Sequence, residues 1–560
     1  MIVDSNTSSR NTLWWVAFGL LIAITIFLYL FRLGTPDFWT DEILSQLKFH
    51  TIGDNLKQIA RDVHPPLYFI SSWGWNSLWN SSTEAELRSF AALVGIGCVI
   101  LTVVLGSRLV DRNFGLLSGL VVTLSPFFLQ YSRMHRYYSL LAFWMLLALV
   151  FLFGVGKKDY WWGIRIGLAN LGLIYTNYVG VVLILGQAAL LPLVFVKERQ
   201  TWIKWLLGQV VVVVGFLPWM WVLAAQTARG NIAYEVKKGA MPFLSLALVK
   251  LKAVILKTAY SGYVFFIGET TFPWKWVITV PAVLVVVIGL VMLFRRGRFP
   301  ARNQRGLLVY AVGMLAVVIV LSEIYTRIFS FQSFALLPSR LIPLVPLLLI
   351  TLTFGLYRMA HRTIGIILIL IFLITEAYGV CHYFTQDQYL NPKYNVPWRQ
   401  VLTYVINHSS EKSLACTDES SYLYYNQVLK GPPAYGVMDL PQGLHEVGEP
   451  GKPLTLWVIS RYRGDTGIRV AYQELETFCL ETFPITIDTA FAPIDPQLGW
   501  FLSRATGEKA PVAILSVVQY QVPLQSIGFE SIDQALKNFI TAKPERQNIL
   551  GWVKDKSISN

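Results

Sequence analysis

Two adjacent carboxylates, Asp41 and Glu42, stand in the stretch "FWTDEILSQLKFH". A carboxylate of this kind can take a proton from an attacking hydroxyl or amine as general base, with its neighbour orienting or supporting it. Downstream, "RDVHPPLYF" carries His64, "YSRMHRYYSL" carries Arg136 and Tyr138, and "PSRLIPLVP" carries Arg340. Arginine suits a phosphate because its planar fork gives parallel charge-assisted hydrogen bonds, and histidine adds another donor or a proton. Pro65 and Pro66 restrict the backbone and leave His64 on a rigid turn. Arg136, His64 and Arg340 therefore read as a phosphate cradle, with Tyr138 a secondary contact.

Taken singly, each residue also has a bland reading. Acids that follow an apolar run commonly face water. Arginines at the ends of such runs commonly reach to lipid headgroups, the reading favoured for Arg88 and Arg133. Trp73, Trp75 and Trp79 suit an interfacial aromatic belt. Glu376 lies inside an apolar run, near enough to its outer third to reach water. The order of these elements, and their convergence on one face, shifts the balance toward chemistry.

That convergence depends on a membrane topology. The chain has 560 residues, 54% hydrophobic and 14% charged, with mean hydropathy +0.50. A soluble protein of this length hardly reaches such values, so the fold class is a polytopic α-helical membrane protein. A helix needs about 20 apolar residues to cross the hydrocarbon. Uncharged runs near that length recur at 13–31, 89–107, 114–130, 137–155, 205–225, 276–294, 306–322 and 341–357, and the run 363–384 contains Glu376. The first run is too long and aromatic for a cleaved leader and is expected to remain as a helix. Basic clusters at "SRLVDR", "GKKDY", "VKERQTWIKW", "RRGRFPARNQR" and "YRMAHR" mark cytoplasmic ends. For both Lys157 and Lys197 to lie inside, 166–196 must form a hairpin, turning near "YTNYVG". The expected total is about eleven spans, with the amino terminus cytoplasmic and the carboxyl terminus external.

Residues 1–384 then form a transmembrane body with external loops 32–88 and 226–275. "NLKQIARDV" reads as a short helix, and "MPFLSLALVKLKAVILKTAY" as helices lying at the interface. Residues 385–560 turn polar: "VPWRQVLTYVINH" looks helical and "SLACTD", "LTLWVIS" and "VAILSVVQYQV" look like strands, giving a small external α/β domain. The net charge of +14 fits anionic lipid surfaces. No nucleic-acid module is present, and nucleic acid is not expected as a partner. The four cysteines are too few for a disulfide scaffold, although Cys416 and Cys479 could pair outside.

Together, these motifs resemble the GT-C superfamily of polytopic glycosyltransferases, the broad bacterial group related to protein O-mannosyltransferases and lipid A aminoarabinose transferases. The resemblance covers most of the body. "FWTDE" is similar to the group's W-x-DE element, "HPPLYF" to its "HPPLYY", and "YSRMHRYYSL" to its "YSQEARMYSL" turn. "LRSFAALVG", "SRLIPLVPLLL" and "VPWRQVLTYV" resemble further elements. The chain departs at Arg133 and Met134, where the group has Gln and an acid, and at Asn177, where it often has His. Those departures leave Asp62 and His64 as a thin ligand set, so a divalent metal is not favoured and no cofactor is expected.

The resemblance implies an enzyme of the bacterial plasma (inner) membrane that moves a sugar from a polyprenyl-phosphate donor to a glycan, lipid or protein acceptor on the outer face. Inverting displacement would use Asp41 as general base and Glu42 as its support, with His64, Arg136, Arg340 and Tyr138 on the lipid phosphate. Such donors need no nucleotide-binding domain, and no Gly-rich phosphate loop is present. Two alternatives stand beside this. A flippase or transporter of lipid-linked sugars would call for inverted repeats and midplane polar residues. A glycan ligase or polymerase would use a diphosphate carrier, which arginines would hold equally well.

Overall fold

Apolar runs of Leu, Ile, Val and Phe fold into helices wherever the chain supplies caps at their ends. The computed structural model describes residues 5–46, 51–79, 83–154, 159–195, 199–235, 258–294, 306, 309–316, 338–385, 389–436, 439–449, 452–461, 479, 483–500 and 513–522. The chain divides into two compact units, residues 1–35 with 45–386 and residues 36–44 with 387–560.

The first unit is helical. α1 (Ser5–Leu30) ends where Arg32 takes a left-handed φ of 51°. The segment Thr40–Leu44, α2, belongs to the second unit. α3 (Ile52–Arg61) and α4 (Leu67–Asn76) flank the Pro65-Pro66 turn. α5 (Glu84–Leu109) starts at a reciprocal capping box, in which Thr83 and Glu86 each accept from the other's backbone N–H. α6 (Arg112–Leu124) is capped by Asp111, and α7 (Pro126–Ser132) by Ser125. Proline at the first position of α7 suits a helix start, and the two helices meet at a 67° bend. α8 (Tyr138–Leu152), α9 (Tyr160–Thr176), α10 (Val179–Val194) and α11 (Arg199–Glu235) follow. α12 (Trp276–Leu293), α13 (Val345–Tyr357) and α14 (Thr363–Thr385) complete the unit. α9 and α11 approach closely because Gly163 and Gly167, one turn apart, face the Lys204 and Gly208 carbonyls, which a Cβ would overlap.

Among the described residues six helices are long and apolar enough to cross a bilayer, or up to seven if the bent α6–α7 pair is one span. α8 and α10 are apolar but short. At 1.5 Å per residue they fall short of a hydrocarbon layer of about 30 Å. α3 and the α9–α10 hairpin, which turns at Asn177 and Tyr178, match the sequence reading. The expected span 306–322 extends beyond the described residues. So does "MPFLSLALVKLKAVILKTAY", of which only the helical residues 258–260 are described.

The second unit is built on a five-stranded sheet in the order β2-β1-β3-β5-β4. Its strands are β1 (Ser413–Cys416), β2 (Ala434–Tyr435), β3 (Leu454–Arg461), β4 (Ile485–Pro493) and β5 (Ala513–Val522). β1 runs parallel to β2 and β3, whereas β5 runs antiparallel to β3 and β4. Around the sheet lie α15 (Trp398–Asn407), α16 (Ser420–Leu429) and α17 (Leu440–Val447). Leu454, Leu456 and Val458 share a core with Leu414, Leu440, Leu444 and Tyr520. Trp457, also fully buried, donates to Ser409 Oγ at 3.0 Å. With both faces covered, the centre of β3 from Leu456 through Ile459 is a continuous apolar run. Cys416 and Cys479 sit in that core as free thiols.

Candidate active site

In the first unit the site residues gather on the turn between α7 and α8. All residues from Pro126 to Leu141 are buried, and this stretch includes Arg133 (2% exposed), His135 (1%) and Arg136 (5%). Charged side chains are almost never buried without partners, so each must be accounted for.

Arg136 donates from Nη1 to Ser45 Oγ at 2.8 Å, and its guanidinium lies 5.1 Å from the centre of the Tyr137 ring. The His64 imidazole also lies against Tyr137, at 5.4 Å, and meets Phe69 at 5.8 Å. His64 Nδ1 is paired with Asp62 Oδ2 at 3.0 Å. Partial burial acts to raise the Asp62 carboxyl. The His64 bond and charge, the Val63 backbone N–H and the Arg136 charge outweigh it and hold Asp62 below its ordinary value of 3.8.

His64 is held in place from behind. Gln226 of α11 donates from Nε2 to the carbonyls of Ile59 (3.3 Å) and His64 (3.4 Å). Its Oε1 accepts the Tyr178 hydroxyl at 2.6 Å, and Tyr178 accepts from Trp219 Nε1 at 2.9 Å. Burial pushes the Tyr178 hydroxyl up to about 12, the Trp219 bond partly offsetting this and the Asp62 charge adding to it. Asn177, which stands where the resembled group often has histidine, spends its Oδ1 on the Val179 backbone N–H at 2.9 Å, capping α10. As a ligand set, Asp62 and His64 are joined to each other, and among the described residues no three His, Cys, Asp or Glu side chains gather as a metal site.

Tyr138 is buried between the rings of Tyr137 (4.9 Å) and Tyr131 (5.1 Å). Arg340 is partly exposed on the 3-10 turn Pro338–Leu344, which packs against α7 and α8. His64, Arg136 and Tyr138 thus all border the Tyr137 ring, and the element carrying Arg340 packs against the helices on either side of that turn.

Two arginines differ from the sequence reading. Arg133 and Arg88 do not reach to headgroups: they are 2% and 3% exposed and bind backbone. Arg133 donates to the Leu28 and Phe31 carbonyls and to Tyr383 Oη, with its guanidinium 4.9 Å from the Phe384 ring centre. Arg88 donates to the Leu33 carbonyl at 3.1 Å. Arg133 thus supplies donors where α1 ends, before the left-handed Arg32, and Arg88 supplies one to Leu33 just beyond it. Glu376 likewise does not reach water: it is 0% exposed, on the inner face of α14.

One group escaped the sequence reading. Glu269, 1% exposed, accepts from Gln130 Nε2 (3.1 Å), Tyr131 Oη (3.4 Å) and Tyr260 Oη (3.0 Å). Its neighbour Gly268 has φ +96°, and a Cβ there would press on Pro126. The available signal was that Glu269 is the only charge between Lys257 and Lys275.

In the second unit, Asp41 and Glu42 form the first turn of α2. Glu42 is 1% exposed and its Oε2 accepts the Trp39 N–H at 3.4 Å, the reach-back bond of a capping box. Asp41 is partly exposed. The pair is therefore divided into a buried acid that fastens its own helix and a partly exposed one.

Residues 63–222 match the family model described as dolichyl-phosphate-mannose-protein mannosyltransferase. No curated protein matches the chain by sequence. Among solved structures, the fold is similar to that of ArnT from Cupriavidus metallidurans bound to undecaprenyl phosphate, at 12% identity and TM-score 0.50 over 91% of this chain and 99% of that one. It is similar also to the apo state of ArnT from Cupriavidus metallidurans, at 11% identity and TM-score 0.51 over 91% and 98%. At these identities the likeness is one of fold. The family model matches residues 63–222, and the fold over most of the chain is similar to that of a polytopic membrane glycosyltransferase.

Proposed function

We propose that the protein transfers a sugar from a polyprenyl-phosphate carrier to an acceptor on the outer face of a bacterial inner membrane, with inversion at the anomeric carbon. The acceptor's oxygen or nitrogen forms a bond to that carbon as the bond to the carrier's phosphate oxygen breaks. Asp41 takes the acceptor's proton, and the electron pair leaves on the phosphate. Arg136, His64 and Arg340 hold the leaving phosphate, and Tyr138 lines the cradle beside them. The step is written without a metal or cofactor.

The observation that carries this reading is the buried cationic turn. Arg136 is 5% exposed, donates to the Ser45 hydroxyl, lies over the Tyr137 ring and acts by its charge on Asp62, and in such a low-dielectric site a phosphate bound to it would gain far more than in water. Undecaprenyl phosphate, present in the similar ArnT structure, is the carrier chemistry we assign to the donor. The topology that goes with this is about eleven spans, with the amino terminus cytoplasmic and the α/β unit external.

Transfer from a radiolabelled polyprenyl-phosphate sugar in detergent tests the reaction, since a flippase has no activity without a sealed bilayer. Asp41→Asn should lower turnover by about 10² to 10⁴-fold with unchanged expression, the scale of a lost general base. Normal turnover in that variant refutes the assignment. Mass spectrometry of the released lipid must find the monophosphate; a diphosphate selects the ligase or polymerase reading.

A further inference from the structure

The segment that carries Asp41 is built into the α/β unit, although it lies more than 340 residues earlier in the chain. α15 begins after Pro397, which offers no side-chain cap. Asp37 takes that place: its Oδ2 accepts the Arg399 backbone N–H at 2.8 Å, across 362 residues of sequence, and its Oδ1 lies 3.4 Å from Arg399 Nη1. A carboxylate at this point meets both the free N–H groups and the positive end of the helix.

The next residues add anchors of other kinds. Phe38, 0% exposed, donates its N–H to the Tyr425 hydroxyl at 2.7 Å and sets its ring against Tyr424 at 5.8 Å. Trp39 packs edge-on against Tyr394 at 4.8 Å, with Lys393 Nζ 5.0 Å from its ring centre. The Arg399 guanidinium lies 5.1 Å from the Tyr425 ring centre, so the two backbone anchors brace each other. α2, with Asp41 in its first turn, follows at once and packs on α16. Five residues make too short a helix to hold itself, so the position of Asp41 is set by what holds residues 37–39.

We propose that the α/β unit is the mount of the catalytic carboxylate, and that Asp37, Arg399 and Tyr425 are positioning residues acting through α2. This rests on Asp41 as the general base. A base displaced by about 1 Å loses on the order of 10²-fold in rate, whereas the donor cradle, built from other elements, is left as it was.

The test uses the full-length chain in detergent with Asp37→Ala, Tyr425→Phe and Arg399→Ala, beside the conservative Asp37→Asn, which keeps an acceptor for the α15 cap. Amide hydrogen exchange over residues 36–44 should rise about tenfold or more in the disruptive variants, with exchange in α5 and α8 unchanged. In the same preparations kcat should fall about tenfold or more while the KM for the lipid donor stays within about twofold, and Asp37→Asn should recover most of both. Unchanged exchange over 36–44 overturns the mount. Raised exchange with normal kcat, where Asp41→Asn is inactive, overturns the positioning role and leaves the base standing. Activity in Asp41→Asn removes the base, and the positioning role with it.

Discussion

Arg133 and Arg136 stand three residues apart on one buried turn, and the proposed function gives them different work. Removing the Arg133 side chain takes donors from the Leu28 and Phe31 carbonyls at the end of α1 and from Tyr383, together with the stack on Phe384. A hydrogen bond from a charged donor contributes about 1.5 to 3 kcal/mol. The two carbonyl bonds are only part-buried, so the low end applies, giving about 3 kcal/mol for Arg133→Ala. In a chain this long that corresponds to a drop of roughly 5 °C in apparent Tm. Arg136→Ala gives up the Ser45 hydroxyl, about 1 kcal/mol, and the phosphate, about 1.5 to 3 kcal/mol of donor binding. Scanning fluorimetry in mild detergent and donor titration on the folded fraction read the two quantities separately. Arg133→Ala should lose stability while keeping donor affinity within about twofold; Arg136→Ala should lose about 10- to 150-fold in donor affinity with a Tm change of no more than about 2 °C. Equal losses of donor affinity in both variants would refute the division, and so would a large Tm loss in Arg136→Ala alone.

Other outcomes follow from the same geometry. Asp62 has a carboxyl held below its unfolded value of 3.8, so its contribution to stability is fully present above about pH 4 and drains as the pH falls through the lower folded value. His64→Ala removes the chief cause of that lowering and should move the acid limb of the Tm-against-pH curve upward; an unmoved limb would show the pair to be inert. Glu269→Ala leaves Gln130, Tyr131 and Tyr260 facing an empty site and should cost about 2 to 4 kcal/mol in denaturant or thermal unfolding, with Glu269→Gln less harmful because its carbonyl still accepts. A cysteine placed at exposed Lys430 should react with an impermeant maleimide in intact cells, whereas one at Arg362 should react only after lysis, in a background without Cys98 and Cys381. The reverse pattern would invert the proposed topology.

Much of this was legible in the sequence, for reasons that differ by residue. Long apolar runs bounded by Thr83, Asp111 and Asp159 announce helices because the cap lies within three residues of what it caps. The hairpin at Asn177 and the strands β1, β3 and β5 were readable from local pattern in the same way. β2 has only two residues, and β4 is an edge strand whose pairing with β5 carries a register shift, so neither leaves a clear signal. The roles of the charged residues were less visible still. Arg133, Arg136 and Arg88 present the same guanidinium and the same kind of neighbourhood along the chain, and the readings "headgroup" and "phosphate" were both open to each.

What separates those roles is where other elements end. A helix that stops leaves carbonyls in need of donors, and it stops where the local residues decide: α1 ends before the left-handed Arg32, and Arg133 answers the Leu28 and Phe31 carbonyls there while Arg88 answers Leu33 just beyond. Arg136, on the same turn, donates to the Ser45 hydroxyl, lies over the Tyr137 ring and acts by its charge on Asp62, so its contacts are side-chain ones and not the backbone carbonyls that hold Arg133 and Arg88. The same logic divides the acids. Glu42 accepts the Trp39 N–H at the start of α2, while Asp41, one position earlier and partly exposed, is the acid to which the proposed function gives the acceptor's proton. In each pair the bonds given above tie one member to a helix end, and the proposed function uses the other. That is why Arg133→Ala and Glu42→Ala should register first in stability, and Arg136→Ala and Asp41→Asn first in turnover.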